Sequence, residues 1–224
     1  MERIQEACRL NNIGAMHLSC QDAGTAVKAF KTALAIMEEV ASDESSANLC
    51  CQSQDMMPAT AGCPSVVVPG LEDDFFIYNR ALLLDASIVN SAANIDLPFA
   101  NAIILFNLAL TFQQRGKACG DTAKLQKAVY LYQVASKLIT NMASTCSGAL
   151  ALAALNNRAQ ILYSMGEYAQ ARSLLDEMSS LVKIVPSPVD DGHGNANSTF
   201  ARYHFDEFFL NATTAQAPTA APSA

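Results

Sequence analysis

The chain has 224 residues, 51% of them hydrophobic and 16% charged, with a formal net charge of −7 at pH 7 and no tryptophan. That length suffices to bury most apolar surface in one domain or a short repeat array, and the composition excludes a wholly disordered polymer. An acidic balance without any Lys/Arg cluster lacks the positive footprint that nucleic acid and anionic lipid require, so neither is expected as a partner.

The opening MERIQEACRLNN has no apolar core of a secretory signal, and no run reaches the roughly 18 apolar residues of a membrane span. An intracellular, cytoplasmic setting is expected, with the nucleus left open. The seven cysteines (8, 20, 50, 51, 63, 119 and 146) are scattered without a CxxC pair, which points to reduced thiols rather than a disulfide framework or zinc ribbon. The sequons at Asn197 and Asn211 are read as chance occurrences.

The first periodic stretch places Leu10, Ile13, Gly14 and His17 on one helix. Ala26, Phe30, Ala33, Met37 and Val40 share a face of the next. His17 stands where the 34-residue helix-turn-helix repeat family usually has Tyr, a resemblance that implies a packed, hydrogen-bonded core histidine.

About sixty residues then interrupt the pattern, far more than an ordinary helix connection. Residues 42–70 are small and polar with Pro and Gly, and a flexible loop is expected there. LEDD at 71–74 reads as a solvated turn. Residues 74–84 carry β-branched and aromatic side chains, which favour an extended segment. A degenerate helix is the alternative, because YNRAL echoes the NNRA that occurs later.

A second stretch sets Leu105, Leu108, Ala109 and Phe112 before Ala128, Tyr132 and Ala135, with seven extra residues within QRGKACGDTAKLQ read as a lengthened turn. A third sets Leu155, Ala159 and Leu162 before Gly166, Ala171, Leu175 and Met178. Residues 186–198 read as loop, and Ser198 or Thr199 can cap a helix over 199–211, whose Phe200, Tyr203 and Phe208 would cover the array's open end. The low-complexity tail 212–224 is expected to be disordered.

The three stretches share a 34-residue helix-turn-helix pattern that resembles the tetratricopeptide repeat (TPR) family over 7–40, 102–141 and 152–185, about half of the chain. The resemblance implies an all-α fold of three degenerate TPR-like repeats, 1–41, 102–141 and 152–185. These would form a short right-handed superhelical array with a long irregular insertion, 42–101, and a C-terminal capping helix. Small residues (Gly14, Ala109, Ala159 opposite Ala26, Ala128, Ala171) would let paired helices approach to about 8–10 Å.

No GxSxG, GxxxxGK[ST], HExxH or GxGxxG motif occurs, so no catalysis, cofactor or resident metal is expected. DDGHG at 190–194 reads as a solvated loop, and Cys50, Cys51 and Cys63 lack the spacing of a zinc site.

Asn12, Asn107 and Asn157 occupy one equivalent place, two residues before the small packing position. In such arrays the first helices line a concave face, here including Asn11, Asn12, Phe106, Asn107, Gln114, Asn156, Asn157 and Gln160. A carboxamide offers both donor and acceptor and can bond an extended peptide whatever its side chains. The resemblance implies this role for the Asn, hence a scaffold binding a partner's extended segment in the groove. The chain's own residues 75–84 are a second candidate, in or beside the groove, because a long apolar insert must be buried somewhere. The chaperone-tail-binding TPR proteins hold a terminal carboxylate with Lys and Arg, where this chain has Ala15, Ala153 and Asn157. The alternative is that the Asn only tie neighbouring helices, in a structural or assembly subunit with a self-filled groove. The oligomeric state is left open.

Overall fold

The computed structural model describes residues 2–47, 64–71, 76–84, 97–139 and 145–184, together with Phe208, Leu210 and Asn211. Six helices and two short strands occur among them: α1 (Glu2–Ser19), α2 (Ala23–Ala47), β1 (Ser65–Val67), β2 (Arg80–Leu82), α3 (Leu97–Cys119), α4 (Thr122–Ile139), α5 (Thr145–Ser164) and α6 (Tyr168–Ile184). Each helix packs on the next in chain order, giving three helical hairpins in an all-α, TPR-like fold.

All three hairpin turns are built alike. One residue in each enters the left-handed region: Gln21 (φ 64°), Gly120 (φ 62°) and Gly166 (φ 81°). The next N–H reaches back to close the helix: Asp22 to the His17 carbonyl (2.9 Å), Asp121 to Gly116 (2.9 Å), Glu167 to Leu162 (2.9 Å). These bonds satisfy carbonyls that a helix end otherwise leaves open. Asp22 and Asp121 then cap the following helices, Oδ1 accepting from Thr25 N–H and Lys124 N–H at 3.1 Å each. The Thr25 hydroxyl and then its N–H hold the Asp22 carboxyl below the usual carboxylate range, and the Lys124 ammonium and then its N–H do the same for Asp121.

This common turn corrects the lengthened loop expected in the middle hairpin. Gly120 and Asp121 alone separate α3 from α4. The left-handed residue follows Asn12 and Asn157 by nine positions but Asn107 by thirteen, and it precedes Ala128 by eight where the other hairpins need five. The extra residues therefore add about one turn to each helix. Gly116, which looks like a helix breaker, lies within α3 and lets α4 approach closely: a Cβ there would stand 2.7 Å from the Leu125 side chain.

The same close approach governs the first hairpin, where a Cβ on Gly14 would lie 2.6 Å from the fully buried Phe30 ring. Ala26, Ala109 and Ala128 are wholly buried, and Ala159 and Ala171 nearly so. The central α3 is buried nearly all round, between α2, α4 and the β2 strand. By length and hydropathy it could cross a membrane, yet 72% of that stretch is buried within the protein, as befits a core helix.

The insertion also departs from the expected loop. α2 continues to Ala47, and β1 pairs antiparallel with β2, Val66 opposite Ala81. Residues 42–70 are thus not one flexible loop, because the β-branched Val66 and Val67 find a strand partner. Helix α3 begins at Leu97, before the expected 102, with Pro98 in the first turn where its missing N–H costs nothing. His17 is likewise no core residue: it is partly exposed, with Nδ1 3.2 Å from the Asp22 carboxylate. Phe208, Leu210 and Asn211 are helical. The remainder of 199–211, including Phe200 and Tyr203, lies outside the described residues, as do 186–198 with the DDGHG motif, Glu72–Asp74 of LEDD, 212–224 and Cys50, Cys51 and Cys63.

Gly14→Ala is expected to lower stability by about 1–3 kcal/mol in thermal or urea denaturation, since the Phe30 ring must move. Gly24→Ala, which meets only Asp22 Oδ1 at 3.6 Å, is the control and should be neutral or slightly stabilising. Equal melting temperatures for the two variants would contradict the hairpin packing.

Candidate functional site

Helices saturate their own backbone hydrogen bonds, so only side chains can serve an extended segment laid across them. Helices α1, α3 and α5 each present an Asn to residues 76–84. Asn157 Oδ1 accepts from Tyr78 N–H at 2.8 Å while its Nδ2 donates to the Tyr78 carbonyl at 2.9 Å. Asn107 treats Leu82 in the same way, at 2.8 and 2.7 Å. Asn12 repeats the pattern on Leu84, at 2.8 Å for both bonds.

Successive residues of an extended chain turn their N–H and C=O to opposite edges. The residues bonded by Asn are 78, 82 and 84. The opposite edge is met by β1: Val68 N–H donates to the Asn79 carbonyl and Leu83 N–H to the Pro64 carbonyl, each at 2.7 Å. The segment therefore has a row of carboxamides on one edge and a strand on the other. It runs from the third hairpin to the first, against the order of the repeats.

A second row braces the first. Asn11 Nδ2 donates to the Leu82 carbonyl at 3.0 Å, and its Oδ1 accepts from Asn107 at 2.9 Å. Asn156 Nδ2 donates to the Phe76 carbonyl at 3.0 Å. In both NN pairs the first Asn also donates to the second, Asn11 to Asn12 and Asn156 to Asn157, at 3.2 Å. The middle hairpin has Phe106 in place of the first Asn. Its ring packs against Tyr78 (centroids 5.9 Å) and Tyr132 (5.2 Å). Tyr132 O–H donates to Gln113 Oε1 at 2.7 Å and accepts from Asn157 Nδ2 at 3.1 Å. Burial pushes its phenol pKa well above the ordinary value, so the hydroxyl stays protonated.

Gln114 reaches past the segment, its Nε2 donating to the Pro69 carbonyl at 2.8 Å beyond the end of β1. Gln160 is half-buried and bonds none of the described segment residues. The structure thus brings Asn11, Asn12, Phe106, Asn107, Asn156 and Asn157 together on residues 76–84, puts Gln114 on the turn after β1, and leaves Gln160 apart.

One contributor escaped the sequence reading. Asn211, noticed only as a sequon, is 6% exposed and donates from Nδ2 to the Phe76 carbonyl (2.8 Å) and Asn156 Oδ1 (2.7 Å). That nitrogen is the atom a glycan would occupy. Beside it, Phe208 packs on Phe76 (centroids 5.4 Å) and Tyr78 (6.1 Å). Nothing in the local sequence around Asn211 signals a contact 135 residues away.

Among the described residues no group of three His, Cys, Asp or Glu is placed to hold a metal ion. Cys8 is buried and its thiol is pushed up to about 11, which suppresses the nucleophilic thiolate.

Residues 151–181 match the tetratricopeptide repeat family model. No curated protein and no solved structure matches the chain. The matched stretch covers most of the α5–α6 hairpin, including Asn156 and Asn157, and the other two hairpins share its turn geometry and small-residue packing. Tetratricopeptide repeats generally serve as protein-interaction scaffolds, which is the coarse role this fold supports.

Asn107→Leu removes both bonds to Leu82 and the brace to Asn11, stranding a buried N–H. Urea denaturation is expected to show a loss of at least about 2 kcal/mol, against less than about 0.5 kcal/mol for Gln160→Ala.

Proposed function

We propose that the chain is a non-catalytic protein-interaction scaffold whose concave face recognises an extended segment through its backbone, with its own residues 76–84 as resident occupant. The observation that carries this reading is the threefold use of one carboxamide to bond both polar groups of one strand residue. Such bonding is indifferent to side chains, so it suits a receptor for extended peptide. A partner's segment gains access when the chain's own leaves. The reading places the protein in a reducing intracellular compartment, in keeping with Cys20 and Cys119 as exposed free thiols.

A second reading draws on a different observation. Asn11, Asn107, Asn156 and Asn157 are 0% exposed, which favours a structural or assembly subunit whose groove is permanently self-filled. The two readings differ in the free energy at which the segment opens.

Native-state hydrogen exchange separates them. Under the scaffold reading the Tyr78 and Leu82 amides exchange through a local opening, at lower free energy than core amides such as Leu110 and Ala135. Exchange of all four only through global unfolding would establish the structural subunit instead.

A further inference from the structure

The resident segment shows which positions the groove reads by side chain. Ile77, Tyr78, Ala81, Leu82 and Leu84 are buried, Tyr78 and Ala81 completely, whereas Asn79, Arg80 and Leu83 remain half-buried. Tyr78 sits between the rings of Phe106 and Phe208. Ala81 lies opposite Val66 of β1 and is completely buried, so a larger side chain there is expected to overpack the site. Backbone recognition by Asn sets the register, and these pockets choose among sequences that adopt it.

We infer that the partner is a protein bearing an extended segment of the pattern aliphatic-aromatic-x-x-small-Leu-x-Leu, which replaces residues 77–84 between the carboxamide row and β1. This rests on the scaffold reading above and adds the chemistry of the ligand. The occupant already seated in the groove is the template for the pattern: it satisfies both edges of the strand and fills both the aromatic and the small-residue positions. Arg80 is read weakly, its Nε donating only to Ser65 Oγ at 2.9 Å in a partly buried contact.

The probe is a labelled nonapeptide, FIYNRALLL, added in trans to the full chain and to the full chain carrying Tyr78→Ala and Leu82→Ala, whose own segment is weakened. Fluorescence anisotropy should show tighter binding to the weakened chain. Replacing the peptide's tyrosine by alanine should weaken binding about ten- to a hundredfold, the loss of one buried aromatic anchor, while replacing its arginine by alanine changes affinity less than about threefold. In case the double variant does not fold, the unaltered chain provides a second measurement: excess peptide should shift the Tyr78 and Leu82 amide resonances, and the tyrosine-lacking peptide should not.

Equal affinity for peptides with and without tyrosine would overturn the pattern while leaving backbone recognition standing. Absence of binding to a folded weakened chain whose backbone amide at position 78 exchanges freely would overturn the groove reading itself. A concentration-dependent dimer that the peptide dissolves would assign the groove to a second copy of this chain and overturn the partner protein.

Discussion

A strand buried among helices must find hydrogen-bond partners that the helices' own backbones cannot give. In this chain the requirement is met by short carboxamides, each standing in for one residue of a missing neighbouring strand. Asn suits the task because its amide has the donor and acceptor spacing of a peptide group and its single methylene keeps it close to the helix. The segment brings its other neighbour along, since β1 belongs to the same insertion and meets the edge that the carboxamides do not reach. The geometry of the hairpins follows from the same requirement: equivalent Asn can reach one strand only if α1, α3 and α5 stack in phase. The steps along the strand are unequal, four residues from Tyr78 to Leu82 and two from there to Leu84, so the carboxamide positions are set by the helices rather than by a strand repeat.

Stacking in phase depends on residues outside the carboxamide row. Gly14 against Phe30 and Gly116 against Leu125 bring paired helices to near contact, and the three left-handed turn residues end each first helix in the same way. The middle hairpin tolerates about one extra turn in each arm because the addition lies beyond Asn107, toward the turn, and leaves the register of its carboxamide intact. Gln113 and Gln114 stand just before that addition, at the level where α1 and α5 end, one holding the Tyr132 hydroxyl and the other the carbonyl of Pro69.

Much of this architecture was legible in the residues. The small positions and their apolar partners recur at fixed spacing, so helix pairs and the common place of Asn12, Asn107 and Asn157 could be read directly. The middle turn was misread because Gly116 and Gly120 look alike in sequence, though one is a close-packed helix residue and the other ends the helix. His17 misled for a different reason: family position implied the core, but a neighbouring Asp22 draws the ring to the surface. Phe208 was expected to cover the end of the array, but its contacts with Phe76 and Tyr78, the Asn211 bonds and the β1–β2 pairing were illegible because they join distant parts of the chain, which no local periodicity records. The direction of the segment across the repeats was equally hidden, since any extended stretch can run either way.

The most direct test of the carboxamide row is an NMR measurement of its side-chain amide protons in the full chain. The account predicts slow exchange with water for the Nδ2 protons of Asn107 and Asn157, with nuclear Overhauser contacts from Asn157 to Tyr78 and from Asn107 to Leu82. Rapid exchange with water, and cross-peaks only to residues of their own helices, would contradict it.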